Sequence, residues 1–496
     1  MTVWRMTRRC AALILGVALL CGGPAFAQRT DLAIGVRLEP PHLDPTAAAA
    51  AVIGEITYAN LFEGLTRIDR EGRVIPGLAE SWEVSDDGKV YTFRLRQGVF
   101  FHDGSTFDAR DAVFTLERAI APDSINPQKA LLEPIEAVEA VDAHTLSVRL
   151  KRPTAQLPFI LGLPALVIVG HETAETNRAM PNGTGPFRFS RWHMGDRVDL
   201  VRNDRYWGEK PALSRVTFRV IGDPSAAYAA LMAGNIDAYT NFPAPEHLPQ
   251  FEADPRFKVV VGRTEGKTVL AQNNARKPLD DIRVRRAIAH AIDRKLLIDG
   301  ALYGYGDPIG SHFAPQNAGY VDLTGRYPYD PEAARALLRE AGAEGLRLKL
   351  ALPPPSYARR SGEIIAERLR DVGIQVDIVP MEWAQWLTDV FRDKNYDLSI
   401  VSHVEPNDLD IYARDDYYFN YDSPEYKALY AELAAEQDEE KRLVLLKSLQ
   451  QKLTDDAVNG FLFLLPKLGV WDARLQGFWE NAPIPANDLT GVRWER

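Results

Sequence analysis

Residues Leu346–Ile400 read LRLKLALPPPSYARRSGEIIAERLRDVGIQVDIVPMEWAQWLTDVFRDKNYDLSI, and the spacing of the apolar positions in this stretch decides the fold class. Leu346, Leu348, Leu350 and Leu352 alternate as in a strand with one buried face, and Ile374, Val376 and Ile378 do so again. Between them, Gly362 to Val372 has helical spacing and stops at Gly373. Met381 to Arg392 reads as a second helix, and Tyr396, Leu398 and Ile400 mark a third strand. A β-α-β-α-β succession implies a parallel sheet with right-handed crossovers, because a parallel partner is reached only through a long connection that packs back on the sheet.

Working outward, residues of about 270–470 read as one α/β lobe whose helices have sharp starts. Asp330-Pro331 and Ser423-Pro424 each place a capping side chain before a proline at the first helical position. After Asp281, the residues Val284, Ile288, Ala291 and Ile292 form one apolar face. The first half differs: short strands such as Tyr91 to Leu95 and Leu146 to Leu150 stand among fewer helices, and Asp223-Pro224 opens a capped helix through Met232. It reads as an α+β lobe with a subdomain inserted near residues 65–184.

At the N-terminus, Arg5, Arg8 and Arg9 precede an apolar run from Ala11 to Leu20 and the small-residue triplet Ala25-Phe26-Ala27, the order of a signal peptide. The run is too short to span a bilayer, so the expectation is cleavage after Ala27 and a mature chain of 469 of the 496 residues beginning at Gln28. Two other routes exist in principle: a lipid anchor on Cys21, disfavoured by Leu20 before it, and twin-arginine export through Thr7-Arg8-Arg9. Both cysteines, Cys10 and Cys21, fall inside the removed segment, so the exported part relies on core burial without disulfides. Loss of three arginines takes the formal charge from −10 to −13, which argues against nucleic acid and anionic membrane surfaces as partners. Hydrophobic residues make up 46% of the chain, enough for two large lobes, with no second long apolar stretch. No solenoid repeat or low-complexity tether separates them.

Catalytic and nucleotide motifs are lacking. His171-Glu172 is followed by Thr173, Ala174 and Glu175, so no second histidine completes a zinc motif, and no G-x-S-x-G elbow occurs. Gly262-Arg263-Thr264-Glu265-Gly266-Lys267-Thr268 imitates a phosphate loop with one residue too few, and it leads into the strand-like Val269-Leu270-Ala271 where a helix is required. His102-Asp103, with Glu39 and His42 nearby in sequence, has no metal-ligand spacing and reads as a turn before a helix capped by Asp108. Neither a resident metal nor a cofactor is expected, and the chain is not read as an enzyme.

The ordered set of local motifs resembles the bacterial extracellular solute-binding protein family 5, the peptide/nickel-type binding proteins of ABC importers. The resemblance is carried by Leu43-Asp44-Pro45, Ala79-Glu80-Ser81-Trp82, Phe101-His102-Asp103-Gly104, Asp111-Ala112-Val113-Phe114 and Gly183-Thr184-Gly185-Pro186-Phe187. It continues through Arg202 to Gly208 (RNDRYWG), Leu231 to Asp237 (LMAGNID), Asp281 to Ile288 (DIRVRRAI) and Asp330 to Ala334 (DPEAA). Most of these residues have structural uses, with Trp82, Trp207 and Phe101 expected in the core. What the resemblance implies is a two-lobe periplasmic binding protein of the Venus-flytrap type with an extra subdomain. Its first lobe would span 28–266 with a return at 473–496, and its second 267–472. It further implies a periplasmic monomer that closes on a di- or oligopeptide, or a similar amine-bearing solute, and delivers it to the permease and ATPase subunits of an importer. Nickel-chelate, haem or opine uptake is the alternative within the class, and a periplasmic hydrolase or chaperone the alternative outside it.

The candidate binding loop is Ser402 to Asp410, SHVEPNDLD, because ligand groups in parallel sheets come from loops at the carboxyl ends of strands. The resemblance implies an aspartate in this loop that pairs with a peptide α-ammonium; Asp408 is the first choice, then Glu405 or Asp410, with His403 beside them. The tryptophan usual in the family after this strand is absent here, and the acidic residues are rearranged around Pro406. Trp383 and Trp386, three apart, and Tyr412 with Tyr417, Tyr418 and Tyr421 can wall an apolar pocket. Asn273 matches a family asparagine near the lobe crossing, and Arg359 or Arg360 can receive a carboxylate bidentately.

Overall fold

The helix expected at 362–372 starts earlier, at Ser356, and runs to Asp371; Gly373, at φ +92°, then turns the chain in a conformation that a side chain would strain. In the computed structural model, which describes residues 29–48 and 50–495, the strands on either side are Arg347–Leu352, Gln375–Pro380 and Leu398–His403. Both outer strands pair in parallel with Arg347–Leu352, as the β-α-β-α-β succession requires. The second helix, Trp383–Trp386, widens into a π-helical turn over Leu387–Arg392. The export segment 1–27, with Cys10 and Cys21, and the mature start at Gln28 lie outside the described residues.

These strands belong to a mixed sheet of eleven that continues through both halves of the molecule. Its middle is built from two long antiparallel strands, Phe257–Gln272 and Asn459–Asp472, paired along nearly their whole lengths. On one side Lys267 to Gln272 pairs with Leu398–His403. Toward the other end Val470 and Trp471 pair with Ala238–Tyr239, followed in the sheet by Asp31–Val36, Arg215–Val220, Arg197–Arg202 and Phe187–His193. The register of the two long strands breaks between Arg263 and Lys267, the place where the sheet passes from one half to the other.

Separate hydrophobic cores sit on either side of this passage. One gathers Ile34, Phe62, Phe187 and Phe218 with Trp471 and Trp494, which return from the end of the chain. Another gathers Leu279, Ile288, Leu350, Ile365 and Phe463. A four-stranded antiparallel sheet, Ala79–Val84, Val90–Leu95, Thr145–Leu150 and Ile135–Asp142, has its own core of Phe93, Phe107, Leu116 and Val148 under the helix Ala109–Ile120. Phe101 is buried there, whereas Trp82 and Trp207, expected in the core, are only half-buried at its edge. Trp207 donates its indole N–H to the buried carboxylate of Glu63, 2.8 Å away, and its ring lies under the Arg96 guanidinium, 4.6 Å from the ring centroid.

The helix starts follow the capping chemistry of the sequence. Asp223, Asp281, Asp330 and Ser423 each accept a hydrogen bond from a backbone N–H in the first turn of the helix that follows. Among the described residues no helix is long and apolar enough to cross a membrane.

Candidate functional site

A cleft of about 660 Å³, open to solvent, separates the inserted subdomain from the half built around the parallel strands. The subdomain side is made by the turns Lys129–Leu132 and Leu157–Ile160, which present Leu131, Gln156, Phe159 and Ile160. The opposite side begins where strand Leu398–His403 ends. It continues through Glu405, Asp408 and Asp410 of the following loop and through Trp386, Phe391, Tyr417, Tyr418 and Tyr430. The mixture is the usual one for a small-solute site, mostly apolar and aromatic with a few polar groups.

At the end of the strand the backbone turns through Asn407 at φ +56°, a conformation asparagine tolerates, and this carries Asp408 inward. Asp408 is buried, and Lys267 Nζ lies 2.9 Å from its Oδ1. That contact is an ion pair without hydrogen-bond alignment, since Oδ1 accepts no hydrogen bond. Lys267 sits directly opposite His403 in the antiparallel ladder, so the two side chains emerge on the same face of the sheet. It is 1% exposed, donates to the backbone oxygen of Glu405 at 2.6 Å, and has Glu265 Oε2 at 3.9 Å. An ammonium so deeply buried survives only with such partners.

The second Asp408 oxygen, Oδ2, lies 3.1 Å from His312 Nε2. Asn459 accepts the backbone N–H of Gln272 on its Oδ1, so its Nδ2 donates to Tyr412 Oη at 3.0 Å, and Tyr412 Oη lies 3.0 Å from His312 Nδ1. Because a carboxylate only accepts, the consistent chain runs Asn459 to Tyr412 to His312 Nδ1, with the proton on Nε2 donated to Asp408. Burial tends to raise the Asp408 carboxyl, and its contacts with His312 and Lys267 overcome this, holding it well below the usual carboxylate range. Burial depresses His312 against the attraction of Asp408. Burial, with His312 nearby, also pushes His403 down to about 3, and its Nε2 lies 2.9 Å from Tyr418 Oη. Glu265 accepts from Gln316 and Asn317; burial raises it to about 7, opposed by Lys267.

His312, His403 and Asp408 each offer a ligand atom within 4.8 Å of the others. The arrangement suits a cation poorly, because Lys267 already places a positive charge there and the His312 Nε2 proton points at the carboxylate. The residues considered from sequence as a metal group go to separate tasks. His102 is held between Gly185 O and Gly183 N, Asp103 binds Ser105 and Asn182, Glu39 accepts from Trp192 and Gly195, and His42 accepts from Asp44 N.

Of the candidate site residues, Asp408, Glu405, Asp410, His403, Trp386, Tyr417 and Tyr418 line the cleft, and Tyr421 does not. Asp410 is tied to Arg414 at the rim, and Trp386, otherwise buried, donates its indole N–H to Ser399 Oγ at 2.9 Å. Tyr412 lies beneath the loop, 1% exposed, and acts through His312. Trp383 does not line the cleft; it is exposed and packs edge-on against Trp386. Asn273 bonds the backbone of Lys394 and Tyr396 and the side chain of Asn420. Arg359 holds the carbonyls of Pro353 and Met381, and Arg360 lies over Tyr303, so neither arginine reaches the cleft. Sequence reasoning missed Lys267 and His312. The available signal for Lys267 was a lone lysine in an otherwise apolar strand run, Thr268-Val269-Leu270-Ala271; His312 carried none.

The model for bacterial extracellular solute-binding proteins, family 5, matches residues 73–425. The chain belongs to this family. Among its relatives, the dipeptide-binding protein of Escherichia coli is 33% identical over 348 residues, 63% of this chain and 64% of that protein. Di/tripeptide-binding protein 2 of Pseudomonas aeruginosa is 29% identical over 426 residues, 79% and 80% of the two chains. The structure of HbpA2 from Haemophilus parasuis superposes with a TM-score of 0.84 at 25% identity, covering 94% of this chain and all of the other. The unliganded open form of the periplasmic murein tripeptide-binding protein MppA gives 0.80 at 23% identity, over 94% and 98%. The architecture is therefore the two-lobe binding-protein fold with the additional subdomain, and family 5 proteins bind substrates outside the cytoplasm.

Proposed function

We propose that this chain is the substrate-binding component of an ABC importer, which takes a di- or oligopeptide or similar small solute between its lobes and delivers it to the permease and ATPase subunits. The observation that carries the reading is the cleft itself, with aromatic and aliphatic walls contributed by the two opposed halves and few polar groups. Peptide-binding relatives support the solute class. Lobes of 28–266 with 473–496, and of 267–472, with a subdomain near 65–184, go with this reading, because the broken register between Arg263 and Lys267 is a natural place for bending. So do export by a signal segment cleaved after Ala27, a periplasmic location and a monomeric state.

No catalysis is part of the proposal. Tyr412, His312 and Asp408 have the order of a nucleophile, base and orienting acid, but Tyr412 is buried and does not line the cleft. Binding needs only closure, and the closed form is what a permease would recognise.

The test is a thermal-shift panel on the purified chain, with apolar and aromatic di- and tripeptides, nickel chelates, haem, opines and sugars. A ligand at a hundred times its Kd adds about 2.7 kcal/mol to stability, an easily read shift. Peptides are expected to give it; a shift with another class alone would reject the peptide assignment.

A further inference from the structure

The deep carboxylate of the cleft is already partnered from within. Lys267, 1% exposed, reaches Asp408 Oδ1 at 2.9 Å and the Glu405 backbone oxygen at 2.6 Å, and His312 fills Oδ2 at 3.1 Å. The ammonium is held there by the fold, because the strand that carries Lys267 is paired on one edge with Leu398–His403 and on the other with the second central strand. A solute ammonium brought to Asp408 would either displace Lys267, leaving a buried charge without its counter-ion, or sit beside it and be repelled. An uncharged N–H has neither penalty. Oδ1 is buried and accepts no hydrogen bond from Lys267, which leaves it the unused acceptor beside the cleft.

We propose that Lys267 determines the solute class: resting on the peptide reading above, the cleft takes peptide-like solutes whose end at Asp408 is an uncharged amide, as in an N-acylated peptide, in place of a free ammonium. The surroundings fit an acyl group. Trp386, Tyr417 and Tyr418 stand on the same side as Asp408, and Phe159 faces them. The other charged groups lie toward the rim, where Asp410 is paired with Arg414, Arg152 with Glu133, and the Glu405 side chain is exposed.

The experiment is calorimetric titration of the full chain with the matched pair Phe-Leu and N-acetyl-Phe-Leu. The wild-type protein is expected to bind the acetylated member at least tenfold more tightly, and Lys267→Met to reverse the preference by freeing Asp408 for an ammonium. Asp408→Asn, which is isosteric, gives a second reading should Lys267→Met fail to fold: the preference for the acetylated member persists in it. Tighter binding of free Phe-Leu by the wild type, lost in Asp408→Asn, would overturn the inference while leaving the peptide reading intact. A wild-type protein that binds neither member, yet is stabilised by a non-peptide solute, would overturn the peptide reading and this inference with it.

Discussion

The two walls of the cleft are built in opposite ways. On the subdomain side, Phe159 and its neighbours project from short turns, and Phe159 itself is half-buried. On the other side Asp408 is joined to Lys267 of a central strand, to His312, and through it to Tyr412 and to Asn459 of the second central strand. The half-buried Phe159 of the first wall can change at smaller cost to the fold, whereas the side chains of the second hold the sheet, the loop and the site together. Specificity written into the second wall is accordingly hard to alter without loss of stability.

The largest expected effect sharpens that contrast. Replacing Asp408 by Ala strips Lys267 of its counter-ion and should cost about 3–5 kcal/mol of folding stability, against about 1 kcal/mol for Phe159→Ala. Urea unfolding of both variants checks this, and equal losses would erase the distinction between the walls.

A second expectation concerns pH and the same network. Glu265 titrates near 7 in the folded protein instead of the usual 4.5, so between these values the folded state holds its proton more firmly than the unfolded chain. The stability this contributes is fully present below about 4.5 and is lost as pH rises through 7. Relative to Glu265→Gln, the wild type should therefore lose roughly 3 kcal/mol over that interval. Denaturation midpoints of the two proteins at several pH values between 4 and 8 measure it; a constant difference would show that Glu265 does not titrate there.

The smallest effect lies on the first wall. Phe159→Ala is expected to weaken solute binding about tenfold, or about 1.4 kcal/mol, with little change in melting temperature. Unaltered affinity would remove the subdomain side from the site.

How far these features were legible in the sequence depends on the range of the interactions behind them. Strand alternation from Leu346 to Ile400, and the capping of helices by Asp223, Asp281, Asp330 and Ser423, are local and could be read directly. The early start of the helix at Ser356 could not, because Pro353, Pro354 and Pro355 mask the first turn, and the π-helical turn at Leu387 leaves no periodic mark. In the site, the acidic loop was visible from its place after a strand. The partner of Asp408 was not, since Lys267 lies 141 positions earlier and only the antiparallel register brings it opposite His403. Arg359 and Arg360 looked like anion receptors, yet packing turns one toward backbone carbonyls and the other toward Tyr303.

Amide hydrogen exchange, recorded with and without the solute that gives the largest thermal shift, tests most directly whether the two walls act on one guest. Slower exchange is expected together in residues 127–163 and 403–434, as both sides close over the bound molecule. Protection confined to one of these segments, or found only elsewhere in the chain, would contradict a site held between the lobes.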